Sequence, residues 1–423
     1  MDSKERKIKE MTKLSKLAFS EATVKMNSVE DAVAFLENTL ITRNVKSILV
    51  KFSGGKDQKT LQKNLVDGLL MNHPDMKKDS VERRVRGWLD PNSLHTLKKE
   101  DAIETAFILQ LGVEEADEFV ALISEEKLHW RSVDEIVFIF GLAHGLSYCE
   151  CMEFLNQSEI QDVISKIQNL DPRKTIEEDS YTEFVKQDIS KLHTAEELKQ
   201  YLQENYERLG SFHNTAYDMF MEMIAKLESP EQMEYDLDLY NGFDEENFLE
   251  KYTIRDILDE YLYKDIVLTA KQKAVKAKKK AKTAEKEKSL SKESQYTLTI
   301  IQKKVADSWP DEVSISRMKN RKADVTRKAL ILLFLATDGD YAAYGYDEDL
   351  EEDEKEEIFE DILERLDDML FFCGYSSLDP RNPFDWLILY CIYVDDLFDI
   401  DPKMEAILSK LFNITPKESD ETD

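Results

Sequence analysis

The sequence predicts a mainly α-helical protein of several helical bundles that carries one helical module twice, with at most one small β element near residues 47–57. Three observations predict it. The 423 residues include only 12 Gly and 9 Pro, whereas a sandwich or barrel of this length needs many more turn residues. A hydrophobic content of 42% with 10% aromatics suits a chain that buries cores of ordinary size, and its apolar residues recur at helical spacing. Finally, a series of short features near the start of the chain returns, in the same order, near its end.

Residues 1–57 read as an N-terminal helical segment, with Ala32, Phe35, Leu36 and Leu40 on one face, followed by a strand-like run Ser47-Ile-Leu-Val-Lys-Phe52. Residues 58–155 form the first module. A helix opens at Thr60-Leu61 and Pro74 stops it; Asp79-Ser80 caps a basic helix with Val81, Val85 and Trp88 inward. After the turn Asp90-Pro91-Asn92, Ala102 to Leu109 is apolar, and Gly112 is expected to close that helix. Gly145 ends a later helix, Val133 to Leu142.

Residues 156–269 read as a middle helical domain, bounded by Asp171-Pro172-Arg173. It contains the capping box Thr194-Ala-Glu-Glu197, the helix Phe212 to Leu227 and a helix start at Thr253-Ile-Arg-Asp256. Residues 270–294 are rich in Lys and Ala without an evident apolar stripe, and so read as a linker or a solvated helix. Residues 295–412 form the second module and 413–423 a polar tail.

The repeat is specific in order and residue type. Thr60-Leu61, Pro74-Asp75, Ser80-Val81 with Arg84-Val85, and Lys98-Lys99 before an apolar helix are followed, much later, by Thr297-Leu298, Pro310-Asp311, Ser314-Ile315 with Arg317-Met318, and Arg327-Lys328 before another. Farther on, Leu128-His-Trp-Arg131 with Asp134 matches Leu378-Asp-Pro-Arg381 with Asp385. The succession from Thr60 to Gly112 resembles a Cro/C1-type helix-turn-helix domain, with a diverged second copy near 297–336; it lacks that family's small-residue tight turn. The resemblance implies DNA as the partner, read by the second helix of the motif. The whole chain is similar in layout to uncharacterised bacterial helical proteins, a similarity that brings no function.

The net charge of -30 and a pI near 4.7 oppose non-specific attraction to phosphate, so any nucleic-acid contact has to come from a local patch. Two matching segments supply one: Lys77, Lys78, Arg83, Arg84 and Arg86 in the first module, and Arg317, Lys319, Arg321 and Lys322 in the second. The competing expectation is that these cations pair with carboxylates of the same molecule or of a protein partner.

Other motifs carry less. Ser53-Gly-Gly-Lys-Asp57 resembles the phosphate loop of the pyrophosphatase type, which implies an ATP-using enzyme, but no alternation of strands and helices follows it. A Gly-Gly turn explains it equally. His213-Asn214-Thr215 with Tyr217 reads as polar groups satisfied at a helix interface. Asp395, Asp396, Asp399 and Asp401 lack the Gly and terminal Glu of a calcium loop. Cys149, Cys151, Cys373 and Cys391 read as free core thiols, and Asn382-Pro383-Phe384-Asp385-Trp386 as a helix start anchored in a core. No apolar run is long enough to span a membrane, and Met1 to Ser20 lacks the apolar core of a signal peptide. The expectation is therefore a non-enzymatic cytoplasmic regulator without cofactor or metal, with DNA as a candidate partner. The alternative is an acidic protein-interaction scaffold.

Overall fold

The computed structural model describes residues 28–38, 44–90, 97–170, 181–210, 212–228, 263–287, 298–339, 352–393 and 400–414. Those residues form helices and no sheet; two of them, Glu126 and Tyr375, face each other in an isolated antiparallel bridge. Several sequence expectations fall outside them: Leu40, the turn at Pro91-Asn92, the boundary at Asp171–Arg173, the start at Thr253–Asp256, and Asp395, Asp396 and Asp399. Among the described residues no helix is long and apolar enough to cross a membrane.

The expected strand is a helix, α2 (Val45–Phe52). Asn44 caps it by accepting from Ser47 N–H, and Ile48 and Leu49 are buried. A short apolar run with a Lys at each end fits a half-buried helix as well as a strand, since such runs do not separate the two periods. Gly54 and Gly55 (φ 69 and 74) make the turn into α3 (Gln58–Asn72). Asp57 caps α3, its carboxylate accepting from Lys59 and Thr60 N–H at 3.0 and 3.1 Å. The N-terminal amides that a phosphate would use therefore already hold a carboxylate, and the loop joins two helices rather than a strand and a helix.

From there α4 (Lys78–Trp88), α5 (Lys99–Leu109), α6 (Val113–Ser124), α7 (Val133–His144) and α8 (Tyr148–Leu155) follow. Helix α4 starts without a side-chain cap at Lys77, so Asp79 lies inside its first turn and does not cap it. Gly112 does not close α5: Gln110 does, in the left-handed region at φ 59, and Gly112 begins α6. Gly145 closes α7 as its φ of 70 requires. Then come α9 (Ser158–Gln168), α10 (Tyr181–Ile189) and α11 (Ala195–Glu204), the last opened by the Thr194–Glu197 capping box. Residues of α2 to α11 share one hydrophobic core.

A second core collects α1 (Val29–Asn38), α12 (Asn214–Glu228), α13 (Lys264–Glu287), α14 (Ile300–Ala306), α15 (Glu312–Lys319), α16 (Arg327–Phe334), α17 (Glu352–Phe372), α18 (Pro383–Ile392) and α19 (Ile400–Phe412). The described residues of 156–269 thus divide between the two cores. Helix α1 lies on α19, with Phe35 stacked 5.1 Å from Trp386. The Lys-rich segment is not without an apolar stripe. Val267, Ala270 and Ala277 are buried at helical spacing and seat α13 against α14 and α19. In the Asn382–Trp386 start, Asn382 caps α18 and Phe384, Asp385 and Trp386 are buried.

The two cores contain the same local arrangement, a constant 250 positions apart as 128 is from 378. Leu128 N–H donates to Asp117 Oδ1 at 2.7 Å, and Leu378 N–H to Asp367 Oδ1 at 2.9 Å. His129 N–H donates to Glu135 at 2.7 Å, and Asp379 N–H to Asp385 at 2.9 Å, so Asp385 corresponds to Glu135 and not to Asp134, with which the sequence order matched it. Glu135 then meets Lys99 at 3.0 Å, whereas Asp385 takes Arg327 in a two-pronged pair at 2.7 and 2.9 Å. In position and role Arg327 therefore matches Lys99, one residue out of the register read from Lys98-Lys99 against Arg327-Lys328.

The cores meet through the corresponding loops. Lys127 N–H donates to Gly374 O at 3.1 Å and Ser376 N–H to Glu125 O at 3.2 Å. Arg327 reaches the same seam: Nε donates to Ser376 O at 2.9 Å and Nη2 to Ser377 O at 3.2 Å. Burial works against its charge, but Asp385, adjacent and hydrogen-bonded, raises the guanidinium above its ordinary range. We predict that Arg327→Met or Asp385→Asn alone costs about 3–5 kcal/mol, because each leaves a desolvated partner. Urea unfolding followed by tryptophan fluorescence checks this; a loss below about 1 kcal/mol contradicts it.

Candidate nucleic-acid interface

Helix α4 is anchored on one side and open on the other. Val81, Val85 and Trp88 recur every three or four residues and are buried against α3 and the rest of the first core. Arg84 flanks that face, its guanidinium 4.9 Å from the Trp88 ring and ion-paired with Asp101. Lys77, Lys78, Arg83 and Arg86 are exposed. Lys78 approaches Glu82 at 3.8 Å, and Arg86 Nε donates to Glu82 O at 3.3 Å. Of the five cations singled out in this helix, four face solvent and one is committed to an internal pair.

Along the sequence the excess of cations is wider than the motif. Lys51, Lys56, Lys59, Lys63 and Lys98 are also exposed, Lys51 being ion-paired with Glu118 at 2.7 Å, and residues 44–99 carry 12 Lys and Arg against 6 Asp and Glu. Counting charge over the whole span would have found them. Lys59 and Lys63 stand one turn apart on α3, the helix that precedes α4.

The second basic segment differs. Arg317 and Lys322 are exposed, the former bonded within its own turn to Lys322 O at 3.4 Å, and Lys319 is half-buried. Arg321 is buried. It donates to Asn214 Oδ1 and lies 4.2 Å from the Tyr217 ring and 5.9 Å from that of Phe212. It cannot reach a ligand from there. Burial pulls its pKa down, and the charges of Asp218 and Asp324 act against that. The two lysine-arginine neighbours in α16 are also interior: Lys328 Nζ takes the carbonyls of Lys304 (3.1 Å), Val305 (3.0 Å) and Asp307 at the end of α14. Desolvation pushes Lys328 down to about 8.

The His213 cluster is an interface between the cores. His213 Nδ1 is 2.6 Å from Asp324 Oδ2, its ring stacks on that of His129 at 4.2 Å, and Tyr217 OH donates to Lys319 O at 3.1 Å. No Ser, Thr or Cys side chain stands in that set of contacts. The thiols of Cys151 and Cys373 are buried, and burial pushes each up to about 12, which keeps them protonated and unreactive. Among the described residues no group of three or more His, Cys, Asp or Glu is placed to hold a metal ion. No family model, curated protein or solved structure matches the chain.

Buried His129 makes the junction sensitive to acid. Burial, then the neighbouring His213, Lys99 and Arg131, hold His129 well below its ordinary pKa. Glu135 and Asp324, the carboxylates at this junction, accept from the His129 backbone and the His213 ring, and Tyr375 lies on the other side of His213. The unfolded chain thus binds a proton at His129 below about pH 6.5 that the folded chain refuses, so stability falls with pH in that range. Asp367, pushed up to about 7 by burial, acts oppositely between that value and the ordinary carboxylate range, and masks part of the loss. Comparison with His129→Phe cancels the Asp367 contribution: the stability advantage of the wild type over the variant is expected to shrink by up to about 1.4 kcal/mol per pH unit below pH 6.5. Parallel urea-unfolding profiles for the two proteins from pH 7.5 to 5 would refute it.

Proposed function

We propose that this chain is a non-enzymatic regulatory protein that contacts DNA through the helix pair α3–α4, with α4 as the reading helix. The observation that carries the reading is that Lys77, Lys78, Arg83 and Arg86 are exposed at and along a helix whose Val81, Val85 and Trp88 are locked into a core, with Asp79 and Glu82 set among them. A helix so held can present donors to phosphates and base edges with little loss of side-chain anchoring. Arg83 and Arg86, with their planar forks, suit guanine edges; the lysines on α3 suit the flanking phosphates.

The repeat belongs to the same proposal. The hydrogen bonds shared at the 250-residue interval support two diverged copies of one module. The seam supports their relation by a local two-fold axis, since Glu126 with Tyr375 and Glu125 with Ser376 exchange under that interval, as residues do in an isologous dimer contact. The second copy then serves mainly as the structural partner of the first, with Arg317 and Lys322 as its outward cations. The rival reading, an interaction scaffold, draws its support from the inward-turned Arg321, Arg327 and Lys328.

Fluorescence anisotropy of a labelled duplex of about 30 base pairs separates them. Four cations on α4 contacting phosphates are expected to contribute about -3.6 to the slope of log K against log salt, and Arg83→Glu with Arg86→Glu to abolish binding at about 100 mM salt. Arg317→Glu with Lys322→Glu is expected to cost less than about tenfold. Absence of salt-dependent binding by the intact protein overturns the DNA reading and leaves the scaffold.

A further inference from the structure

Helix α13 is the most basic element of an acidic chain. Its 24 residues hold 9 Lys against 3 Asp and Glu, and no Arg. Its apolar side is taken: Ile266, Val267, Ala270 and Ala277 are buried in the second core, and Lys271 Nζ is fixed on Ala306 O at 3.0 Å. Lys273 and Lys276 are exposed, and Lys278, Lys279, Lys280, Lys282 and Lys286 follow in the same helix.

We infer that α13 is a second DNA-contacting surface, one that tracks the phosphate backbone without reading sequence. The inference rests on the DNA reading above and adds a separate site to it. Three features fix the class of partner. The density of positive charge demands a polyanion, and a helix of this length runs about 36 Å beside a duplex that carries a charge every ~1.7 Å along its axis. Lysine without arginine gives mobile point charges suited to phosphates and lacks the planar fork used on base edges. Firm seating on an anionic bilayer uses a broad exposed apolar face beside the cations, and here Val275 is exposed while Ile266, Val267, Ala270 and Ala277 lie in the core. Anchorage at Val267 to Ala277 fixes the first half of the helix, with Lys273 and Lys276, to the second core.

The test uses the full chain with Lys273, Lys276, Lys279 and Lys282 changed to Gln, and two unrelated labelled duplexes of about 30 base pairs. Neutralising four contacts is expected to make the salt slope shallower by about 3.6 and to weaken both duplexes by the same factor, with unchanged far-ultraviolet circular dichroism. The same four positions changed to Arg keep the slope. An unchanged slope in the Gln variant, including the case in which an acidic protein segment and not DNA occupies α13, overturns the inference. The two sites fail separately. If Arg83→Glu with Arg86→Glu removes binding while the α13 variant changes nothing, the α4 reading stands and this one falls. If only the α13 variant responds, the reverse holds.

Discussion

The pair of Arg327 and Asp385 is the constraint around which the second core and the seam are arranged. Both side chains are almost wholly removed from water, a loss that an ion pair recovers only when its geometry is good and its remaining donors are satisfied. Here the two prongs reach one carboxylate, and the other donors of Arg327 reach the carbonyls of Ser376 and Ser377. Those residues continue directly from Tyr375, which faces Glu126. One guanidinium therefore fixes the start of α16, the start of α18 and the loop by which the two cores touch. In the first core the corresponding pair, Lys99 with Glu135, keeps 15% of each side chain in solvent. A lysine has one compact head to share among Glu135 and Glu126, and cannot satisfy carboxylate and carbonyls in a single plane as arginine does.

That difference sets how each core uses its cations. In the second, Arg321, Arg327 and Lys328 are interior, tied to an amide, a carboxylate and the end of a helix. In the first, Arg84 alone among the cations singled out on α4 turns to an internal carboxylate. The two basic segments thus differ in placement: the cations of one largely hold the structure together and those of the other remain on the surface. On the proposed reading of two diverged copies, a ligand surface built from a repeat need not be symmetric.

Much of the fold was legible in the sequence. The helical class followed from the scarcity of turn residues, and Thr194–Glu197, Asn382-Pro383 and Gly145 mark helix ends by local chemistry that tertiary contacts do not override. The run Ser47–Phe52 misled because four apolar residues in so short a stretch satisfy either period; the local sign was Asn44 as a cap, and the deciding tertiary fact is the burial of Ile48 and Leu49 together. The Lys-Ala helix misled for a different reason. Alanine counts weakly as apolar, yet Ala270 and Ala277 permit close approach of α13 to its neighbours. The candidate site was half legible. Sequence marks where cations are, but whether Arg83 or Arg321 faces water depends on which side of its helix packs, and Arg321 is drawn inward by Asn214 and Tyr217, residues about a hundred positions away.

The chain's overall charge sharpens the role of its basic surfaces. Of 57 Lys and Arg, 21 lie in residues 44–99 and 264–287, with only 9 of the 87 Asp and Glu. The remaining sequence holds 36 against 78. At physiological salt the field of an exposed charge fades over about 8 Å, so a basic helix keeps its local attraction for phosphate while an acidic surface farther off repels it. On the DNA reading proposed above, approach of a polyanion along acidic faces is disfavoured, and the encounters that survive are those oriented toward α4 or α13. Strong net negative charge, which at first argues against nucleic acid, would on that reading act as a filter on how nucleic acid is approached, and its effect would weaken together with that of the patches as salt rises.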